Sequence, residues 1–131
     1  MAAGISATVG DALLASILND TAFTAYGPTY VQLHVGAPGS AGTANIAGES
    51  TRVTTGTTPF ASPSGGSTTN NNAINWTSVS TSETYTYVTL WSALTSGTFI
   101  ASGTITASAV AVGDNFSIPI GDMTVSLPVA S

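Results

Sequence analysis

The chain has 131 residues, enough for one domain that buries roughly two-thirds of its unfolded surface, and with no cysteine it must hold that core without disulfides or thiolate metal sites. One arginine (Arg52), no lysine and six acids leave a formal net charge of −5, which excludes the counterion displacement that nucleic-acid binding depends on and disfavours an anionic membrane surface. Charged residues make up 5% of the chain, against about 25% in typical soluble domains, so its hydration rests on Ser, Thr and Asn. No run approaches the roughly 18 apolar residues of a membrane span. The N-terminus lacks the basic start of a secretory signal, and Asp11 interrupts its apolar run.

Taken in order, residues 6–20 read as the one helix. Val9, Leu13 and Ile17 recur at i, i+4 spacing, and Leu14 and Leu18 widen the stripe. Ser6 is the expected N-cap and Asn19 the expected stop, while Gly10 costs about 1 kcal/mol relative to Ala. Thr29–Val35 alternates as a half-buried strand entered through a Gly27-Pro28 turn, with Tyr30, Gln32 and His34 on one face and Val31, Leu33 and Val35 on the other. Gly36–Gly48 reads as a long loop, Thr51–Thr57 as a short polar strand, Phe60–Asn72 as a second long loop and Ala73–Ser78 as another strand. The central strand is Glu83–Ala93, rich in β-branched and aromatic residues and free of Gly and Pro. Simple alternation puts Val88 and Leu90 on one face and Tyr85, Tyr87 and Trp91 on the other, so both faces need cover. Thr98–Thr106 then returns after a turn at Thr95–Gly97, and Asn115–Ile120 and Met123–Val129 are expected to pair around Gly121-Asp122. The expected fold is mainly β: an antiparallel, jelly-roll-like β-sandwich of about seven or eight short strands with one N-terminal helix. Its expected division is an N-terminal helix and docking segment over residues 1–24 and a single β domain over residues 25–131.

Catalytic and metal motifs are weak. His34, the sole histidine, has no Gly-x-Ser-x-Gly elbow to serve, and no zinc-ligand spacing surrounds it. Glu49 and Glu83 are the only glutamates, and nothing in their spacing brings them together. Asp114 and Asp122 stand in Gly-Asp turns, where an isolated Asp is ordinarily a turn former rather than a calcium ligand. No enzymatic activity, cofactor or metal is expected. An ion pair of Arg52 with Glu49, or with an acid such as Asp114 on a neighbouring chain, is expected, because Arg52 is the only cationic side chain. Val9, Leu13 and Ile17 of the helix, with Tyr85, Tyr87 and Trp91 of the central strand, are the expected subunit contacts. Trp76 is the candidate for stacking on a sugar face.

Leu33–Gly39, Gly42–Asn45, Glu49–Arg52, Trp76, Tyr87–Ala93, Gly97–Gly103 and Val112–Phe116 occur in an order and spacing that resemble small virion proteins of tailed phages, especially those of actinobacteria. Such proteins are labelled tail-fibre-like, minor tail or head decoration proteins. Relatives often carry Gly-Tyr or Thr-Thr before the arginine and His at the place of Tyr87; here Ser50-Thr51 and Tyr87 stand there. The resemblance implies a non-enzymatic structural subunit on the exterior of a phage head or tail, a homotrimer in contact with major capsid or tail proteins. The competing expectation is a glycan-binding adhesion module of a tail fibre, using loops Gly36–Gly48 and Phe60–Asn72 on a host surface.

Overall fold

The computed structural model describes residues 4–130. Helix α1 (Ala7–Leu18) is capped as expected: the Ser6 hydroxyl accepts the Val9 N–H at 3.3 Å, and the Asn19 N–H closes the last turn on the Ala15 carbonyl at 2.9 Å. Eight strands follow: β1 (Tyr30–His34), β2 (Val53–Thr54), β3 (Ser67–Thr69), β4 (Ile74–Trp76), β5 (Glu83–Trp91), β6 (Phe99–Val110), β7 (Phe116–Ile118) and β8 (Thr124–Ser126). Every strand pairing is antiparallel, so the fold is mainly antiparallel β with one N-terminal helix, as the sequence led us to expect. The strands form one four-stranded sheet in the order β2-β1-β5-β6 and two ribbons, β3-β8 and β4-β7.

Two expectations change. Phe60–Asn72 is not a bare loop, because Ser67–Thr69 forms β3. The segments around Gly121-Asp122 do not pair with each other: β7 pairs with β4 (Trp76↔Phe116) and β8 with β3 (Thr68↔Val125). Asn70 directs this crossing. Its side-chain amide donates to the Asn72 and Pro119 carbonyls at 2.8 and 3.0 Å, and its oxygen accepts the Met123 N–H at 2.9 Å. A single buried amide thus holds the chain where it leaves one ribbon and enters the other, satisfying three backbone groups no ladder reaches.

One face of the sheet supplies Val31, Leu33, Val88, Leu90 and Ala101 to the core, and the ribbons supply Ile74, Trp76, Ile118 and Met123. Tyr85 belongs to the same core and is fully buried, against the Phe116 ring at 5.0 Å. It therefore does not share a face with Tyr87 and Trp91. The reason is a β-bulge: Tyr85 faces Ser108 but Tyr87 faces Thr104, so Ile105, Thr106 and Ala107 fall against the single residue Thr86. At this irregularity the core face of β5 passes from Tyr85 to Val88 and Leu90. The bulge also leaves the hydroxyls of Tyr85 and Thr86 buried with no hydrogen-bond partner.

Burial, reinforced by the charges of Glu83 and Glu49, pushes the Tyr85 phenol up to about 12. Its folded-state value lies above that of an unfolded tyrosine, so the neutral phenol's contribution is intact below about pH 10 and is lost as pH rises from there towards 12. We expect Tyr85→Phe to leave stability unchanged or raise it by up to about 1 kcal/mol, since it removes an unpaired buried hydroxyl. Tyr85→Ala should cost about 3–5 kcal/mol through the cavity it opens. Denaturant unfolding of both variants at pH 7 checks the pair, and a Phe variant as damaged as the Ala variant would show that the hydroxyl has a partner.

Candidate functional site

The second face of the sheet carries a buried polar cluster. Gln32 and His34 of β1 stand beside Thr89 and Trp91 of β5, and His34 and Thr89 have no exposed surface. The bonding order follows from which atoms can donate. A carbonyl only accepts, so the contact of 2.9 Å between His34 Nδ1 and the Ala44 oxygen requires the proton on Nδ1. Nε2 is then an acceptor and takes the Thr89 hydroxyl hydrogen at 2.8 Å. The Thr89 oxygen in turn accepts the Trp91 indole N–H at 2.8 Å. Burial is the largest influence on His34 and pushes its imidazole below the ordinary range; Arg52 adds to that, and the backbone bonds at Ala44 and Asn45 offset part of it.

Arg52 closes this cluster. Its guanidinium lies 4.1 Å from the centre of the Trp91 ring and donates to the Ala93 and Ser96 carbonyls at 2.9 and 2.7 Å and to Gln32 Oε1 at 3.4 Å. Glu49 does not pair with it. The Glu49 carboxylate accepts the N–H groups of Thr51 and Ser80 at 3.3 and 3.0 Å. Its own burial would raise the carboxyl, but the hydrogen bonds from Thr51 and Ser80 together hold it below the ordinary range. The expected ion pair is thus replaced by two separate solutions, in which the anion caps backbone N–H groups and the cation caps backbone carbonyls. Glu83 joins the first of these, accepting the Gly48 and Glu49 N–H groups at 2.8 and 2.9 Å, so the two glutamates share one locality after all. Among the described residues no group of three or more His, Asp or Glu side chains is arranged to hold a metal ion.

The loop from Gly36 to Ser50 lies over the cluster. Gly42 rests on the Phe99 ring with φ +72°, and a Cβ there would stand 2.7 Å from that ring; only glycine allows this approach. Phe99 packs on Trp91 at 5.4 Å between ring centres. Trp91 is accordingly buried beneath Arg52, and Tyr87 is half-buried. Trp76 is buried too, packed on Phe116 and bonded through its indole N–H to the Thr51 carbonyl at 2.8 Å, which leaves no face for a sugar.

The fold leaves a set of large apolar side chains open. Along α1 Val9 is buried and Leu13 half-buried, but Leu14, Ile17 and Leu18 are 56, 74 and 72% exposed. Beside the helix, residues 4–6 cover the outer edge of β6 only as far as Ser102, through Ser6 N–H to Ile100 O and Ser102 N–H to Gly4 O, both at 2.8 Å. From Gly103 to Val110 no described strand pairs with that edge. A slot of about 730 Å³ separates Thr104–Ser108 from Phe116–Pro119 of the β4-β7 ribbon. No described helix is long and apolar enough to cross a membrane.

An antiparallel β domain that presents an apolar helix and, among the described residues, a strand edge with no partner has the attributes of a structural protein that meets other chains. A family profile described as Podophage GP4 fiber I protein gp80 matches residues 4–126. The chain belongs to this family of phage fibre proteins, and its place is the virion. Comparison with curated protein sequences gave no significant match. Of the labels carried by the earlier resemblance, the fibre label is the one the family bears.

Removing the guanidinium should test the second of the two charge solutions. Arg52→Ala is expected to cost about 1–3 kcal/mol, from lost charge-assisted bonds to carbonyls and lost stacking on Trp91. Arg52→Lys should recover only part of it, because a point charge cannot reproduce the fork. Glu49→Gln should not alter the effect of Arg52→Ala, so a double-mutant cycle near zero is the expected result.

Proposed function

We propose that this chain is a non-enzymatic fibre subunit that assembles with copies of itself, as a homotrimer, on the exterior of the phage tail. The observation that carries the reading is the exposure of Leu14, Ile17 and Leu18 on a helix with no basic residue and a single acid, Asp11. A helix apolar on nearly all sides is stable in water only when a partner covers it. The open stretch of β6 supports the same reading. Phe99–Val110 contains no charge and no proline, the usual guards of a free edge, and among the described residues no strand pairs with its outer edge beyond Ser102, which leaves room for a further strand. The non-enzymatic part rests on the commitment of His34, Glu49 and Glu83 to backbone and cluster hydrogen bonds. Contact with other tail proteins would use the same uncharged surfaces, where shape and apolar burial decide affinity.

Sedimentation velocity across a range of protein concentrations tests the proposal. The wild-type chain should sediment as a trimer, and Ile17→Lys combined with Leu14→Lys should convert it to monomer with an unchanged circular dichroism spectrum. Thr106→Pro, on the open edge, should weaken assembly without lowering the monomer's unfolding midpoint by more than a few degrees. A wild-type monomer at every concentration, or a helix variant with undiminished mass, would refute the helix as the contact.

A further inference from the structure

His34 is the only histidine of the chain, and its ring joins three parts of the fold. It projects from β1, accepts from Thr89 on β5, and donates to Ala44 in the Gly36–Ser50 loop. We propose that His34 is an acid-sensitive latch: protonation at Nε2 lifts the Gly36–Asn45 stretch of the loop from the polar face of the sheet while the rest of the domain stays folded.

The argument starts from the hydroxyl between the two rings. With Nε2 protonated, Thr89 Oγ1 faces two donors, that proton and the Trp91 N–H, and its own hydrogen loses the acceptor it had. The new charge also has nothing to pair with. Arg52, preceding β2, is the charged group that acts on His34, and it is of the same sign. On β5 the cross-strand neighbour is Tyr87, and the acid of that strand, Glu83, is bound to the Gly48 and Glu49 amides. On β1 the titratable neighbour is Tyr30, and β6 carries none. In the loop, Glu49 is occupied by the Thr51 and Ser80 amides. The imidazolium must therefore reach water. His34 has no exposed surface, and what lies over it is the loop that Ala44 belongs to.

The loop can open without unravelling the domain. Its near part, Gly36–Asn45, is tied to β1 by Val35 N–H to Asn45 O at 2.9 Å, while its far part stays anchored by Ala47, which lies in the core and donates to Leu33 O at 3.0 Å, and by the Gly48 and Glu49 amides on Glu83. The closed form resists protonation and the open form takes it at the ordinary histidine value, so opening is suppressed above about pH 6.5 and grows as pH falls below it, by about tenfold per pH unit. Glu49, at the far end of the loop, is held below the ordinary carboxylate range by its hydrogen bonds from Thr51 and Ser80, a range already below that of histidine, which separates the two effects.

Amide hydrogen exchange of the full chain, corrected for the intrinsic pH dependence, reads the opening residue by residue. Between pH 7.5 and 5.5 the protection of the Val35 amide, which donates to Asn45, should fall about tenfold, while Ala47 and Leu90 in the core keep their protection. His34→Asn keeps a donor for Ala44 but cannot be protonated, and it should abolish the pH dependence. Nitrogen NMR of the single imidazole is the second measurement, independent of whether that variant folds. It should show the Nδ1–H tautomer at pH 7.5 and a titration displaced below 6.5 that coincides with the loop amide changes. Unchanged loop protection at pH 5.5, an equal fall in Leu90, an equal fall in His34→Asn, or a titration of His34 with no movement of the loop amides would each overturn the latch.

Discussion

One fully buried hydroxyl group, that of Thr89, stands between an indole N–H and an imidazole nitrogen. The order of donation through it is forced from the outside, because Ala44 can only accept and Trp91 can only donate. Once that order is set, the tautomer of His34, the orientation of Trp91 and the seat of the loop follow. Arg52 can then lie flat on a ring that does not rotate, with its remaining donors aimed at the carbonyls of Ala93 and Ser96. The covered polar face therefore stands on a chain of bonds rather than on apolar area, and loss of one link leaves its neighbours buried and unpaired.

The opposite face of the same strand follows different rules, and the bulge at Thr86 divides the two. Before it, Tyr85 turns into the apolar core; after it, Val88 and Leu90 take that side and Tyr87, Thr89 and Trp91 the polar one. A regular strand would have placed Tyr85 beside Trp91 and removed the ring that Phe116 packs on. The bulge leaves two hydroxyls unpaired, a cost of about 1–3 kcal/mol each, and that cost is offset by keeping a large aromatic in the core where the β4-β7 ribbon closes over the sheet.

The sequence disclosed whatever depends on local periodicity and little of what depends on long-range pairing. The cap at Ser6, the helix to Leu18 and the strands containing Val31, Trp76 and Val88 follow from spacing and β-branching within a short window. The bulge did not, because Thr86 sits in an unbroken alternation and the extra residues lie on β6. Nor did the partners of β7 and β8: the Gly121-Asp122 turn looks like a hairpin, and only the distant amide of Asn70 sends the two arms to different ribbons. The lone arginine invited an ion pair by elimination of other cations, yet backbone carbonyls compete for a guanidinium and leave no signature in sequence. His34 was legible as structural, since a histidine without a nearby nucleophile or ligand set has little chemistry to perform, but its bond to Thr89 spans 55 residues.

Low charge unites the inside and the outside of this molecule. A chain with one cation holds it, half-buried, on backbone carbonyls, and its two glutamates are held on backbone amides. Beside the exposed Asp11, Asp20, Asp114 and Asp122, the exterior is left to Ser, Thr, Asn and a set of large apolar side chains on α1 and in the turns, where Leu94, Val112 and Ile120 are each more than half exposed. For a protein that lives free in solution such a surface is a liability, because charge is the ordinary guard against edge pairing and apolar association. For a member of a fibre family the same absence is permissive. Contacts made by apolar burial and strand edges carry no ion pairs to be screened, so they hold with little dependence on the ionic strength a virion meets outside its host.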